Sequence, residues 1–413
     1  MITSRFPAFT FPNFRIFLAG QFISLIGSWM QSTVQPYLAY RLTSQPFYLG
    51  LVGFAQTLPA LFFMLWGGVI IERLEKRKVV LVMQTILMLQ AFMLAFFALT
   101  GLITIWHIIV LAFIQGLANS IEITARQSMM VELVDKTALP NAIALNSATF
   151  NLARVLGPTL SAPFLVFLQD NGEGWAFFAN GVSFLFVIAS LLLIKTKSQV
   201  RNDVEKLSII EDFKDGQRYI FSTPIVAMLI VLVTVPGLFG FPFTQQIPVF
   251  ARDVLHEVND TAAAVATRNS LMVTAQGVGA LIAALTLAMF STMRRKGPLL
   301  ISGQIVFALG LIGLSFSRTQ NLALPLMTVA GWGMVTQLAL TNTLIQITVP
   351  DHLRGRVMST YLWAMQGISP FGSLLIGSLA QSLGASQAVA IGGFTCLIAY
   401  SLAHLFKSDI RRA

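Results

Sequence analysis

The chain of 413 residues is 55% hydrophobic and only 11% charged, with a mean hydropathy of +0.75. A soluble domain is about a quarter charged residues, so this composition excludes a soluble globular protein and describes a polytopic membrane protein. The formal charge of +10 sits in short segments between apolar runs, which is a positive-inside bias. Membrane lipid is therefore expected around the chain, and nucleic acid is not expected as a partner. The single cysteine, Cys396, lies in an apolar run and excludes an internal disulfide framework.

A membrane helix needs about 20 mainly apolar residues. The stretch from Met1 to Pro12 holds only Arg5, and the run after it is of full span length, so it is expected to remain as the first helix. Twelve spans are predicted, six in each half of the chain. The first six are 14–39, 49–71, 79–99, 105–126, 142–168 and 176–194. The second six are 225–250, 270–293, 299–317, 322–349, 357–383 and 388–406. Between the halves, the polar interval 195–224 contains Leu207, Ile210, Phe213 and Lys214, which fit a short amphipathic helix on the inner surface. The predicted domains are an N-terminal six-helix bundle (1–194), a cytoplasmic linker (195–224) and a C-terminal six-helix bundle (225–413).

Orientation follows from a count of cations. Between the second and third spans, Arg73, Lys76, Arg77 and Lys78 alternate with Glu72 and Glu75. Such a loop belongs on the cytoplasmic face. With it inside, the inner segments carry twenty-one Lys and Arg and the outer ones four: Arg41, Arg252, Arg268 and Arg318. Both termini are then expected in the cytoplasm.

The halves echo each other. Arg294-Arg295-Lys296 occupies the place of the Arg73–Lys78 cluster, and Asp135 through Gly157-Pro158 has a counterpart in Asp351 through Ser369-Pro370. Parallel halves about an axis along the membrane normal describe the major facilitator architecture. The loop motif resembles that superfamily too. Its pattern is G-x-x-x-D-R-x-G-R-R/K, matched here by Gly68, Arg73 and Arg77, with Glu72 for Asp, Lys76 for Arg and Glu75 in place of the second Gly. The resemblance implies an all-α fold of twelve transmembrane helices. It also implies a gating role for Gly68, Glu72, Arg73 and Arg77, with the acid meeting the N-terminal end of the eleventh helix.

A finer likeness runs through Asn13-Phe14-Arg15, Gly50 to Gln56, Ala125-Arg126-Gln127 and Leu139 to Ser147. It continues in Asn151-Leu152-Ala153-Arg154, Gly157-Pro158 and Arg354 to Ser359. These segments resemble the branch of bacterial exporters that includes the enterobactin exporter and macrolide efflux proteins. The resemblance implies efflux from the bacterial inner membrane, driven by the proton motive force, of a small amphipathic cargo such as a drug or siderophore. Two positions depart from drug antiporters. Ala112 stands three residues before Gln115-Gly116 where the family has arginine, and Ser161 and Ala162 replace glycines after Gly157-Pro158.

Arg154 is the sharpest signal within a span. It lies about twelve residues, or roughly 18 Å, into the fifth helix, near the midplane. An arginine there costs about 2.5–3.5 kcal/mol on insertion scales, so it should face a cavity or a partner. Asn151 and Pro158 share its helical face. One reading is a cavity cation for anionic or carbonyl-rich cargo; the other is a structural arginine bonded to carbonyls freed near Pro158. Glu122 sits about 6 Å from the inner end of the fourth span, with Arg126 at i+4. It is either a proton carrier or, with Arg126, part of an ionic latch with Arg73 and Arg77.

Amides and an indole fill out a candidate cavity: Gln31 and Gln35 before Pro36, Gln245 before Pro248, Asn342, Trp363 and Gln366; taken singly, each reads as an interhelical hydrogen bond before a ligand contact. Enzyme chemistry has no support. The four histidines lack metal spacing, no catalytic triad, Walker loop or dinucleotide fingerprint is present, and no cofactor is expected. The sequence thus predicts a transporter, expected to act as a monomer. An importer of the same fold and a non-transporting membrane sensor stand as alternatives.

Overall fold

A computed structural model describes the backbone of residues 6–72, 74–194, 209–290 and 296–406, with side chains left out over short stretches such as 64–72 and 209–213. Among the described residues the chain is helical and forms no strand. Hydrocarbon satisfies no backbone N–H or C=O, and a helix satisfies both within its own segment. The helices are α1 (Pro12–Thr43), α2 (Pro46–Glu72), α3 (Lys76–Leu99), α4 (Ile105–Glu132), α5 (Leu139–Phe167) and α6 (Gly172–Leu193). They continue as α7 (Ile209–Ser222), α8 (Pro224–Val235), α9 (Ala262–Met289), α10 (Gly297–Phe316) and α11 (Gln320–Thr348), then α12 (Asp351–Leu362), α13 (Ser369–Leu383) and α14 (Ala385–Phe406). Proline opens α1, α2 and α8, where its missing N–H costs nothing and its fixed φ suits the first turn.

Ten of these stretches are long and apolar enough to cross a membrane: α2 to α6, the tract Pro224–Val254 that begins with α8, α9 to α11, and α14. Two predicted spans fall outside the ten. Span 14–39 forms α1, a 32-residue helix interrupted in its apolar character by Arg15 and three glutamines. Span 357–383 is divided between α12 and α13 by a wider turn at Trp363–Gly367. Span 225–250 is also not one regular helix. After α8 it widens at Pro236–Gly240, tightens at Phe241–Gln246 and widens again at Phe250–Val254. Pro236, Pro242 and Pro248 remove successive donors from the helical ladder, which accounts for the unwinding.

Within residues 12–193, α1 packs on α5 and α6, α3 on α4 and α6, and α2 on α4. Within 224–406, α9 and α10 pack on α11, and α10 packs on α14. The most extensive pairings between these two groups are α2 with α13 and α5 with α9. Both depend on glycine. A Cβ on Gly50 of α2 would lie 2.5 Å from the Ser373 carbonyl oxygen of α13, and one on Gly277 of α9 would lie 2.8 Å from the Arg154 carbonyl oxygen of α5. Small residues let helix backbones touch where lipid offers no hydrophobic drive.

A helix, α7, occupies part of the interval for which an amphipathic helix is predicted. It is tied to α12 by the Arg356–Asp215 pair at 2.9 Å and by Gln217, which donates to Thr360 Oγ1 at 2.9 Å. Leu207 and the side chains of Ile210 and Phe213 lie outside the described residues. So do Arg73, Arg294 and Arg295, and the side-chain surroundings of Gly68 and Glu72.

Candidate functional site

A cavity of about 210 Å³ lies between α1, α2 and α5 on one side and the unwound tract at Thr244–Ile247, α9 and α11 on the other. Its polar lining comes chiefly from Gln35, Gln56, Arg154, Gln245 and Gln276, and Trp29 closes one wall. Three of the residues singled out in the sequence therefore meet here: Arg154, Gln35 and Gln245. The local sequence explains how Arg154 is presented. Pro158, four residues on, has no N–H to offer the Arg154 carbonyl, and Gly277 packs against that freed oxygen. Gly157 lets α5 close on α1 beside Trp29, where a Cβ would lie 2.5 Å from the Trp29 Cβ. The Arg154 guanidinium then sits over the Trp29 ring, 4.8 Å from its centroid, a cation–π contact with the electron-rich ring face.

Other predicted cavity residues are placed elsewhere. Gln31 is fully buried off the cavity; its Nε2 donates to Gln35 Oε1 and to Gln90 Oε1, both at 3.1 Å, and its Oε1 accepts from Asn180 at 2.7 Å. That network ties α1 to α3 and α6. Asn151 donates to the Ser147 carbonyl one turn back, at 2.9 Å. Asn342 accepts from the Gln346 amide on the same helix. Trp363 and Gln366 occupy the widened turn between α12 and α13, outside the cavity lining.

Glu122 and Arg126 are both buried and bonded to each other. Arg126 Nε donates to Glu122 Oε1 at 2.9 Å, and Gln84 Nε2 of α3 donates to the same oxygen at 3.0 Å. Arg77 does not reach them. Its guanidinium donates to the Leu191 and Leu192 carbonyls at 2.7 and 3.1 Å, holding the C-terminal end of α6, where a cation is favoured by the helix dipole.

Several residues that the sequence reading passed over join these positions. Trp29, Gln56 and Gln276 line the cavity. At the opposite end of α1 from Pro12, Tyr40 donates to Asp253, and Arg252 stacks 4.3 Å from the Tyr40 ring centroid and donates to Ser44 Oγ at 3.0 Å. Nearby, Arg268 grips Asp260 with two bonds of 2.8 and 2.7 Å and donates to the Ala251 carbonyl at 2.6 Å. Asp260 also accepts from the Glu257 amide. The Arg268 guanidinium thus pulls the Asp260 carboxyl down to about 2.

Comparison with known proteins relates the chain to membrane transporters. The chain is 23% identical over 395 residues to the staphyloferrin A transporter of Staphylococcus aureus, covering 93% of each. It is 25% identical over 411 residues to the enterobactin exporter EntS of Citrobacter koseri, covering 98% of this chain and 94% of that one. Among solved structures, a D-xylose-proton symporter superposes with a TM-score of 0.73 at 13% identity, covering 94% and 97% of the two chains; at that identity the likeness speaks for the fold alone. A family model described as transmembrane secretion effector matches residues 3–412. The chain therefore belongs to the transmembrane secretion effector family of major facilitator transporters and is not an enzyme.

Proposed function

We propose that this protein is a proton-coupled exporter of an amphipathic organic compound, drug-like or siderophore-like, in the inner membrane of a bacterium. It works as a monomer by alternating access of two six-helix bundles, 1–194 and 225–413, with both termini cytoplasmic. In that arrangement α1 and the interrupted tract α12–α13 complete the twelve spans, and α7 lies in the connecting linker. The observation that carries the reading is the cavity itself. It is lined from both groups of helices, holds one arginine and several amides, and sits where α5 meets α9. Midplane cavities lined by unwound helix and set between repeats are where secondary transporters bind. The twenty-one to four bias of cations supports the orientation. The names of the relatives support export as the direction and a siderophore-like cargo.

Glu122 and Arg126 are assigned to the inner end, as an ion pair that stabilises α4 against α3. Gly68, Glu72, Arg73 and Arg77 are assigned to the gating loop. Intact cells test the direction. Cells expressing the protein should hold less of an added fluorescent amphipathic compound than cells expressing an Arg154→Gln variant of equal abundance. Greater accumulation with the intact protein would identify an importer of the same fold instead.

A further inference from the structure

We infer that the cavity selects an organic anion, with a carboxylate or similarly charged oxygen group seated on Arg154 and an apolar or aromatic portion against Trp29. The inference rests on the transport reading above and specifies its cargo class.

Arg154 differs from Arg126 and Arg268, the two buried arginines among the described residues. Arg126 is paired with Glu122 at 2.9 Å and Arg268 with Asp260 at 2.7 Å. Among the described residues no carboxylate pairs with Arg154, and it is the single charged side chain lining the cavity. Its neighbours there are a tryptophan face and neutral amides. A guanidinium drawn away from water without a counter-charge is costly, and removal of that cost by a ligand is correspondingly favourable.

The guanidinium fork matches a carboxylate in two parallel hydrogen bonds, a geometry that an ester or amide does not reproduce with charge. Trp29 packs against the guanidinium from one side, which lowers the ordering cost of binding. Gln276 Nε2 donates only to the Met334 sulfur at 3.7 Å, a weak acceptor that a ligand oxygen would replace. A cationic drug meets the opposite situation. It would place like charge beside Arg154, in a cavity without a carboxylate to offset it.

Binding of a matched pair to the purified full-length protein tests this, with salicylate as the anion and salicylamide as its neutral counterpart. Salicylate should bind at least about tenfold more tightly, the scale of one charge-assisted bidentate contact. The ratio should fall to about one in Arg154→Gln and persist in part in Arg154→Lys, which keeps the charge and serves as the control for folding. Equal binding of the two probes, no salicylate binding, or a preference that survives Arg154→Gln would overturn the inference. Proton-coupled release of a neutral compound would then leave the transport reading standing. Conversely, a salicylate preference in a protein that moves no compound would leave the anion site standing and remove the transport reading.

Discussion

Tyr40 at the end of α1 donates its hydroxyl to Asp253 at the end of the Pro224–Val254 tract, and Arg252 covers the Tyr40 ring while reaching Ser44. This cluster joins the first and second groups of helices at the end away from the cation-rich loops. A charged hydrogen bond of this kind contributes about 1.5–3 kcal/mol, enough to bias two conformations of similar energy.

Tyr40→Phe and Asp253→Asn should each shift the protein toward the state open at that end. The measurement is labelling by a membrane-impermeant thiol reagent of a cysteine placed at Ser32, a cavity-lining position, in a Cys396→Ala background. With both termini cytoplasmic, as proposed, labelling from the outer side should rise several-fold. Unchanged labelling in both variants would mean that this cluster does not hold that end closed.

The Asp260–Arg268 pair gives a pH dependence with a defined sign. Because Asp260 titrates lower in the folded protein, at about 2, than at its ordinary value near 3.9, its contribution is complete above that ordinary value. It is lost as the pH falls through about 2. Thermal stability should therefore not depend on this pair between pH 7 and pH 5. Asp260→Asn leaves the buried Arg268 without its buried counter-charge, with only the exposed Glu257 at 3.9 Å remaining, and should cost about 3–5 kcal/mol, read as a lower unfolding midpoint at pH 7. An Asn variant as stable as the parent would show that the Ala251 carbonyl and Glu257, 3.9 Å away, suffice for Arg268.

Glu122→Gln should lower stability without abolishing cargo-dependent proton release. Glu122 accepts from Arg126 and Gln84, so its removal strands a buried arginine, again at about 3–5 kcal/mol. The double variant Glu122→Gln with Arg126→Met should recover part of the loss. Stable protein with cargo movement but no proton release would instead make Glu122 the proton carrier.

Gly277→Ala should impair transport more than membrane abundance. The new methyl would meet the Arg154 carbonyl at 2.8 Å, and α5 and α9 would have to part at a cost of about 1–3 kcal/mol. Transport assayed at matched abundance checks this. Full activity would mean that the α5–α9 contact tolerates separation.

The apolar runs made most helices legible because a span needs a minimum length of apolar sequence. The predicted span 79–99 appears as Lys76–Leu99, and 105–126 as Ile105–Glu132. The helices outrun the predictions because polar residues at their ends remain helical. The interruptions were harder to read. Pro236, Pro242 and Pro248 signal a break in span 225–250, yet composition alone does not say that the tract unwinds instead of kinking. Arg154 stands out because a charge deep within an apolar run is rare. Gln31 and Gln35 could not be separated by sequence, since α1 carries polar groups on several faces and one turn of helix decides between the Gln90–Asn180 network and the cavity. Gln56 and Gln276 left only a lone amide in an apolar run as a signal.

The most direct test uses inverted membrane vesicles acidified inside by respiration, with a pH-sensitive dye and a panel of amphipathic compounds that includes aromatic carboxylates. Addition of cargo should release protons from vesicles containing the protein. Release should be lost with Arg154→Gln at equal abundance and should be absent from vesicles without the protein. No release by any compound from vesicles with confirmed insertion, or full release in the Arg154→Gln variant, would contradict proton-coupled export through the Arg154 cavity.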